Sequence, residues 1–387
     1  MVRELAADLT RQGHAVTVLA GWPSHPAGTL YPGWKASFRH EEQDEAGVRV
    51  VRCRHSFHPR SRIAWRLWYY LSFALTTLWG GLWLGRVDAV LCLSTPIFGS
   101  WTAWLLARLK RAKFVYDIFD LHPEAALHAG MMRDGIVYKV LRWSDSLLCR
   151  FSHRIATLSD GLKQCIQARG IADEKITVIP FWIDGDRIYP GPRDNAWRRQ
   201  QGIAADQFVA LYAGTIGYVS GAEVLATVAE QLQPRDDVLL LIVGEGPVKD
   251  VLQSQVAELG LRGVRFLPFQ PEEVLNEMMA SADVGLITLL PKTGQTSIPS
   301  KILGYMAAGR AVIASVADDS DTARMVRQAD CGLVVPPQDP TALGAAICRL
   351  ADDRHATNRL GGNARRFVVD RFGRQQCVRA YERLLTE

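Results

Sequence analysis

The stretch Asp283–Ser315, DVGLITLLPKTGQTSIPSKILGYMAAGRAVIAS, constrains the fold more than any other part of this chain. It predicts a strand, a polar loop, a helix that opens at Pro299-Ser300-Lys301, and a second strand beyond Gly309. Gly309 suits the left-handed residue that commonly ends a helix. Ser300 and Lys301 then stand at the positive end of a helix, an arrangement that favours phosphate. The alternative is a solvated lysine on an ordinary β-α-β unit.

Short β-branched runs alternate with helical stretches along the 387 residues, enough chain for two domains of ordinary size. The alternation restarts after the linker Tyr189-Pro190-Gly191-Pro192. It predicts an α/β fold of two doubly wound, Rossmann-like domains that face a cleft. We place them at residues 1–188 and 189–371, with a last helix at 372–385 that can pack back on the first domain. The predicted strands are Ala15–Ala20, Val48–Cys53, Val87–Leu93, Phe114–Ile118, Arg154–Leu158, Ile176–Ile179, Phe208–Ala213, Val238–Val243, Val264–Leu267, Val284–Thr288, Ala311–Ser315 and Gly332–Val335.

The chain opens directly on a helical apolar face made by Val2, Leu5, Ala6 and Leu9. An α/β domain normally starts with a strand before its first helix, and the sequence leaves no room for one here. We therefore expect that the first strand of the N-terminal domain and its loop are missing, roughly 20 residues by ordinary element lengths. A misassigned start codon or a truncated gene would each explain this.

Composition excludes several classes of protein. The chain is 48% hydrophobic and 22% charged, which is typical of a globular protein, and its net charge of +5 is too modest to indicate a nucleic-acid partner. Its seven cysteines stand singly without a CxxC motif, so the sequence predicts neither a disulfide framework nor a zinc site, and a reducing cytosol fits. His55 and His58 have no second pair of ligands nearby, so we expect no metal site.

Residues 63–85 interrupt the pattern with an apolar, tryptophan-rich segment. The 19 residues of Leu67–Gly85 carry no charge, which reaches the length of a transmembrane helix. Three interpretations compete: a membrane span, a helix embedded in one leaflet, and a buried core helix. A span would separate two strands of one sheet across the membrane, so we favour association with one leaflet. Its tryptophans resemble an interfacial belt: Trp65, Trp68, Trp79 and Trp83. The arginines nearby would attract anionic lipid: Arg49, Arg52, Arg54, Arg60, Arg62 and Arg66.

Two glycine-containing loops in the second half also point to a nucleotide diphosphate. Gly214-Thr215-Ile216-Gly217 follows one predicted strand, and Gly244-Glu245-Gly246-Pro247 follows the next, with Pro247 placed as the first residue of a helix. Glycine at a strand-to-helix turn lets a ligand approach the backbone. Each loop alone is a common tight turn, but three strand-end loops in one domain predict a diphosphate site at the carboxyl edge of its sheet.

The segment Phe114–Glu124, FVYDIFDLHPE, carries the candidate chemistry of the first half. A strand runs out into Asp117, Asp120, His122 and Glu124, where an acceptor hydroxyl or sugar could be held. Helix capping by Asp120 and Glu124 is the alternative interpretation.

Taken together, these segments resemble glycosyltransferase family 4, the retaining enzymes of GT-B fold, and within it bacterial transferases of O-antigen, colanic acid and capsule assembly. The resemblance covers nearly the whole chain. The matching segments, in family order, are Gln12–Gly33, Phe119–Glu124, Ser159–Pro180, Tyr212–Gly217, Val243–Pro247, Phe266–Phe269, Asp283–Leu286, Ser297–Lys301 and Tyr305–Ser315.

The resemblance implies a hexosyl- or N-acetylhexosaminyl-type transferase on the cytoplasmic face of the inner membrane, with a nucleotide sugar, most often UDP-linked, as donor. Lys301, Ser300 and the amides of Gly214–Gly217 would hold the donor diphosphate, with Gly244, Glu245 and Gly246 lining the nucleotide. A lipid-diphosphate-linked saccharide would bind the first domain near Asp120, which together with Lys301 forms the expected catalytic pair. The leaving group would depart on the face that the acceptor attacks, and neither a metal nor another cofactor would be required.

Two departures from the family pattern leave rival hypotheses open. Many members carry a glutamate pair where this chain has Thr296 and Gly304. Together with the missing first strand, this motivates a truncated or degenerate homologue that binds but does not turn over. A nucleotide-sugar 2-epimerase of the same fold is a further alternative, although that family usually has more acids and histidines in the cleft.

Overall fold

The computed structural model of the protein describes residues 1–24, 28–58, 63–128, 132–217, 220–291 and 298–387. In this part the first half contains the strands β1 (Thr17–Gly21), β2 (Arg39–Gln43), β3 (Arg49–Cys53), β4 (Ala89–Leu93), β5 (Lys113–Ile118), β6 (Arg154–Thr157) and β7 (Ile176–Val178). The second half contains β8 (Phe208–Ala213), β9 (Val238–Val243), β10 (Val264–Leu267), β11 (Val284–Thr288), β12 (Ala311–Ser315) and β13 (Gly332–Val335). The α-helices are α1 (Val2–Arg11), α2 (Ile63–Leu82), α3 (Ile97–Lys110), α4 (Glu124–His128), α5 (Ile136–Phe151), α6 (Asp160–Gln167), α7 (Ala196–Gln200), α8 (Val224–Leu232), α9 (Lys249–Glu258), α10 (Leu275–Ser281), α11 (Lys301–Ala307), α12 (Asp321–Gln328), α13 (Pro340–Asp352), α14 (Arg354–Arg371) and α15 (Arg374–Thr386).

The second half is one six-stranded parallel sheet in the order β10-β9-β8-β11-β12-β13. Every residue of β8, β9, β11 and β12 is buried, as expected of a parallel sheet covered by helices on both faces. Alternate residues of β8 enter two separate hydrophobic clusters, Val209 and Leu211 in one and Phe208 and Ala210 in the other. The doubly wound prediction is confirmed for this half.

The first half is built from two sheets. One has the order β1-β3-β2, with β2 antiparallel to β3, and the other is the parallel sheet β4-β5-β6-β7. No ladder joins β1 to β4 in the described part, and both strands are only half-buried along their length. The prediction of a buried strand at Ala15–Ala20 is wrong in this respect, because β1 is an edge strand of its sheet.

The other predicted strands are confirmed, those of the second half at the same boundaries and those of the first half within two residues. The charged strand β2 was missed because its sequence, RHEEQ, lacks the apolar alternation that predicts a strand. The helix predicted to open at Pro247 begins only at Lys249, so Pro247 is not its first residue. The preceding backbone turns instead onto the neighbouring loop, where the Val248 N–H donates to the Ile216 carbonyl at 3.2 Å.

The last helix, α15, returns to the first half of the chain. Arg374 at its start donates to Asp8 of α1 at 2.7 Å, and Tyr381 donates to Asp117 of β5 at 2.8 Å. The preceding helix α14 packs on β12 and α11 of the second half. The C-terminal segment thus ties the carboxyl end of the chain to the sheet that carries Asp117.

Candidate active site

The residues predicted to bind the donor lie where the strand order of the second sheet reverses. From β8 the chain moves outward to β9 and β10, then returns to the other side of β8 for β11, β12 and β13. Such a switch point opens a crevice at the carboxyl ends of the two central strands, and ligands of doubly wound folds bind there. Gly214 directly follows β8, and Lys301 begins the helix that follows β11. The predicted diphosphate residues are therefore brought together at this crevice.

Lys301 places a buried amine at this crevice. Its Nζ is buried without a hydrogen-bond partner among the described residues, and it lies 3.6 Å from the centroid of the Tyr212 ring. Burial lowers the pKa of the ammonium to about 7. A methyl group placed on Gly214 would meet the Lys301 Cε at 3.2 Å, so the side chain runs directly beside the glycine loop. A buried, unpaired amine calls for an anion to complete its contacts.

Tyr305, one helical turn after Lys301, fixes the glycine loop. Its hydroxyl oxygen accepts the backbone N–H of Ala213 at 2.7 Å, immediately before Gly214. Its ring lies against Gly285, where a Cβ would clash with it. The sequence analysis missed Tyr305, although its four-residue spacing from Lys301 places both on one face of α11. The helix that presents the amine therefore also positions the backbone beside it.

The two glycine loops are laid against each other. The Gly214 N–H donates to the Val243 carbonyl at 2.9 Å, and the Ile216 N–H donates to the Glu245 carbonyl at 3.0 Å. A Cβ on Gly244 would overlap the Gly214 carbonyl oxygen, and one on Gly246 would overlap the Ile216 carbonyl oxygen. Glycine is therefore required at 244 and 246 so that the two loops can pack together. The sequence analysis had explained these glycines by the close approach of a ligand.

Three further side chains bond to backbone carbonyls of Gly217, Ser220 and Gly221. Ser220 donates to the Gly217 carbonyl at 2.6 Å, and Thr288 at the end of β11 donates to the Ser220 carbonyl at 2.7 Å. Gln338 donates to the Gly221 carbonyl at 2.9 Å from beyond β13. Sequence reasoning missed this set because its members come from three distant segments.

The remaining donor-side candidates differ in their surroundings. Thr215 and Ser300 are exposed, and the Ser300 side chain does not cap α11. The Glu245 carboxylate pairs with Lys249 at 2.7 Å, one turn along the chain. Gly304 faces Met279, whose Cε lies 3.4 Å from where a Cβ would stand. Thr296 lies outside the described residues.

On the acceptor side, Asp117 is buried against the last helix. Its Oδ2 accepts from the Tyr381 hydroxyl, and its Oδ1 has no hydrogen-bond partner in the described part of the chain. Burial raises the pKa of this carboxyl to about 7, while the Tyr381 hydrogen bond opposes the rise. Asp117 therefore links β5 to α15, and it lies close in sequence to the loop that carries Asp120.

Glu124 belongs to a buried ionic network. Its carboxylate accepts from Arg169 at 2.6 Å and lies 3.2 Å from Arg142. Arg169 also pairs with Asp145, which in turn accepts from the Tyr116 hydroxyl at 2.6 Å. The predicted acceptor-side carboxylate is thus held by two arginines, one of which is almost fully buried.

Asp120 and His122 occupy the loop between β5 and α4, and both are half-buried. Arg169 donates to the His122 carbonyl at 3.4 Å, so the same network supports this loop. Phe119, at its start, contacts Phe181 with ring centroids 5.2 Å apart. The loop therefore follows the carboxyl end of β5, where the sequence predicted an acceptor site.

The two halves meet near this edge. A Cβ on Gly161, at the start of α6, would overlap the Asp321 carboxylate at the start of α12. Ser159 and Ser320 cap these two helices by accepting the N–H groups of Leu162 and Ala323. In the described ranges, no cluster of three His, Cys, Asp or Glu side chains could hold a metal ion.

The predicted membrane residues lie on α2 and just beyond it. Trp65, Trp68, Trp79 and Trp83 are between 38% and 65% exposed. Trp65 stacks on His58 with centroids 4.0 Å apart. Within the residues that the structure describes, none of the helices combines the length and the apolar character needed to cross a membrane.

Several of the arginines near α2 are engaged in the fold. Arg49 pairs with Glu41 and Arg52 with Glu42, both across the β2–β3 ladder. Arg60 and Arg62 lie outside the described residues. The predicted cationic cluster is therefore partly neutralised by the strand that sequence analysis missed.

Two family models match the chain. The glycosyl transferase 4-like domain matches residues 1–182, and the model of glycosyl transferases group 1 matches residues 207–353. The chain belongs to the glycosyltransferase family that these two models describe. It is an enzyme of GT-B type, as the sequence resemblance predicted.

Relatives and solved structures agree with this assignment. WcaI of Escherichia coli K12, named as a colanic acid biosynthesis glycosyl transferase, is 27% identical over 79% of this chain and 76% of its own length. Sucrose-phosphate synthase from Thermosynechococcus elongatus superposes with a TM-score of 0.77 at 18% identity, covering 99% of this chain and 91% of its own. HepE from Anabaena, solved with UDP and glucose, gives a TM-score of 0.69 at 19% identity over 89% and 87% of the two chains. The glycosyltransferase has relatives in bacterial polysaccharide biosynthesis.

Proposed function

We propose that this glycosyltransferase moves a sugar from a UDP-linked donor to a saccharide carried on a lipid diphosphate, with retention of configuration, during surface polysaccharide assembly. The observation that carries the proposal is the buried amine of Lys301, which has no hydrogen-bond partner among the described residues and lies beside Gly214 at the switch point of the second sheet. An anion with two adjacent phosphates suits a point charge flanked by a glycine loop.

In the proposed reaction, the bond between the sugar C1 and the donor phosphate oxygen breaks as the acceptor oxygen bonds to C1 on the same face. The acceptor proton passes to the departing phosphate oxygen, and the nucleoside diphosphate leaves. Lys301 and the exposed Ser300 hydroxyl offset the charge that develops on the leaving group. The backbone N–H groups of Thr215 and Gly217 would assist them, since those of Gly214 and Ile216 donate to Val243 and Glu245. This arrangement supplies the charge that a metal ion supplies elsewhere, so we propose a metal-independent transfer.

The acceptor side of the proposal rests on Asp120 and His122, in the loop after β5. Asp120 would orient the acceptor hydroxyl, with His122 beside it. Asp117 and Glu124, which the sequence also assigned to this side, would shape the site indirectly through Tyr381 and Arg169. A parallel strand end facing a second domain is where such folds hold their substrates.

We also propose that the enzyme works as a peripheral protein on the cytoplasmic face of the inner membrane. The four exposed tryptophans on and after α2 support this, because an amphipathic aromatic ring is suited to the lipid–water interface. The name of WcaI places that relative in colanic acid biosynthesis, and HepE was solved with UDP, so both agree with the proposed donor and pathway class.

A donor panel tests the proposal. The full chain, bound to membranes, is offered UDP-, GDP- and dTDP-sugars with a lipid extract, and nucleotide release is measured together with label transfer to lipid. We expect turnover of a UDP-sugar, at least about a hundredfold loss in Lys301→Ala, and no change in Lys35→Ala, an exposed lysine in the first half. Preserved anomeric configuration in the product, read by NMR, tests retention.

Release of another nucleotide would correct the donor. Absence of both turnover and nucleotide binding in the folded protein would overturn the proposal. Undiminished turnover in Lys301→Ala would remove Lys301 from the site.

A further inference from the structure

Helix α5 carries an exposed apolar stripe of its own, separate from α2. Ile136, Val137, Val140 and Trp143 recur at the spacing of one helical face, and each is between 52% and 74% exposed. A helix in a globular protein normally buries such a face against its domain. The opposite side of α5 does so, through Leu148 and the other buried residues of the first-half core.

The stripe is continuous with the exposed apolar surface of α2 and α3. Trp101 of α3 donates to the Ser144 hydroxyl of α5 at 2.8 Å, so α3 contacts α5. Lys110 of α3 donates to the Leu82 carbonyl at the end of α2 at 2.8 Å, so α3 also contacts α2. Phe98, Leu105 and Leu109 expose apolar surface on α3 between them. We call the exposed side of α2, α3 and α5 the three-helix face.

The charge of the three-helix face is mainly basic. Its helices contain six basic residues and a single acid, Asp145, which is buried in the ionic network with Arg169. On α5, Lys139 and Arg150 are exposed and make no ion pair within the part of the chain that the structure describes. They flank a groove of about 520 Å³ that Arg142, Trp143 and one exposed acid, Asp134, also line. Basic side chains outnumber this acid in the groove, and such an excess of basic charge is attracted to an anionic lipid surface.

We propose that α5 is a second membrane-docking element, whose stripe enters the lipid interface while Lys139 and Arg150 contact phosphate-bearing headgroups. The occupant is an anionic phospholipid surface. The inference rests on the membrane association in the proposed function and names the surface that performs it.

The docking element is fastened to the acceptor loop. Arg142 of α5 pairs with Glu124, and Asp145 of α5 shares Arg169 with the same carboxylate. The loop that carries Asp120 is therefore tied to the helix that meets the lipid, which would hold it at a fixed height above the surface.

Vesicle flotation with the full chain tests the inference. The apolar variant is Val137→Ser/Val140→Ser/Trp143→Ser, and its control is Val251→Ser/Leu259→Ser, an exposed apolar pair in the second half. On phosphatidylcholine vesicles containing phosphatidylglycerol we expect at least about tenfold weaker binding for the apolar variant and parental binding for its control. All substituted side chains are exposed, so thermal midpoints should not change.

The charge variant is Lys139→Gln/Arg150→Gln, and its control is Arg262→Gln/Arg379→Gln, two exposed arginines elsewhere. The charge variant should bind phosphatidylglycerol vesicles about thirtyfold more weakly than the parent, and bind pure phosphatidylcholine vesicles equally well. High salt should abolish the difference between parent and variant.

The outcomes separate the two proposals. If Trp68→Ser/Trp79→Ser on α2 releases the protein while both α5 variants bind like the parent, membrane association stands and the α5 inference is overturned. If neither the parent nor any variant floats with the vesicles, the α5 inference and the membrane part of the proposed function are both overturned. A parental dimer that the apolar α5 variant dissociates, without a change on vesicles, would make the face an interface between copies and overturn lipid docking.

Discussion

The Tyr305 hydroxyl accepts the backbone N–H of Ala213 at 2.7 Å and so joins the lysine-bearing helix to the glycine loop beside it. Both groups are buried, and Ala213 lies beyond Leu211, the last residue of β8 that pairs with β11. The bond therefore sets the separation between Lys301 and the Gly214 backbone, the two parts of the proposed diphosphate site.

Tyr305→Phe should destabilise the second half and weaken nucleotide binding. An unsatisfied buried N–H costs about 1–3 kcal/mol, equivalent to a fall of several degrees in the thermal midpoint for a unit of this size. We expect UDP affinity, measured by calorimetry, to fall several-fold as well. Tyr189→Phe, at an exposed tyrosine, is the control. A lower thermal midpoint with unchanged UDP affinity would restrict Tyr305 to the core.

Gly244→Ala and Gly217→Ala should separate two glycines that the sequence treats alike. A Cβ at 244 overlaps the Gly214 carbonyl oxygen, whereas among the described residues one at 217 meets only the Thr215 Cγ2, at 3.5 Å. Gly244→Ala should therefore push the loops apart and abolish UDP binding, with a cost of about 1–3 kcal/mol from overpacking. Gly217→Ala should keep the fold. Equal effects of the two changes on thermal midpoint and UDP affinity would contradict this assignment.

The local geometry of the candidate diphosphate site could be predicted from the sequence because it depends on short-range pattern. A strand followed by glycine, and a helix that opens at Ser300 and Lys301, are visible in neighbouring residues. The six strands of the second half were predicted at their observed boundaries because buried parallel strands are continuous apolar runs. The order of those strands, which creates the switch point, follows from how they pack and not from any one of them.

The supporting contacts could not be predicted because their partners are far apart in the chain. Tyr381 reaches Asp117 across 264 positions, and Gln338 reaches Gly221 across 117. One sequence without its relatives carries no sign of such pairs. Glu124 illustrates the consequence, since its position after a strand indicates an acceptor site while its contacts with Arg169 and Arg142 indicate a structural anchor.

Nucleotide binding should take up a proton at Lys301. Burial lowers the pKa of the free ammonium to about 7, and a diphosphate beside it would raise that pKa toward the ordinary 10.5. Between these values binding favours the protonated amine, so UDP affinity should fall as pH rises above 7. Calorimetry in buffers of different ionisation enthalpy should detect nearly one proton taken up near pH 8.

Lys301→Met is the control for this proton, since it should bind weakly with no proton uptake at any pH. A UDP affinity that stays constant from pH 7 to about 9 in the parent would show that the amine is already charged in the free enzyme.

Asp117→Asn should change how stability depends on pH. Burial raises the pKa of the Asp117 carboxyl from 3.8 to about 7, so the folded protein holds a proton that the unfolded chain releases. The stabilisation is complete below the unfolded pKa and is lost as pH rises through 7. The full effect is on the order of 4 kcal/mol, at 1.36 kcal/mol per unit. Asparagine is neutral throughout, so the thermal midpoint of the variant should gain on the parent between about pH 4 and pH 7.

Tyr381→Phe tests the same relationship from the other partner. The Tyr381 hydroxyl donates to the carboxylate and lowers its pKa, so removing that donor should move the pH at which stability is lost upward. Phenylalanine keeps the ring against Trp182, whose centroid lies 6.2 Å away, so packing is preserved. If Asp117→Asn follows the parent's pH dependence at every point, the carboxyl is ionised in the folded protein at neutral pH and the link between α15 and β5 is a charged one.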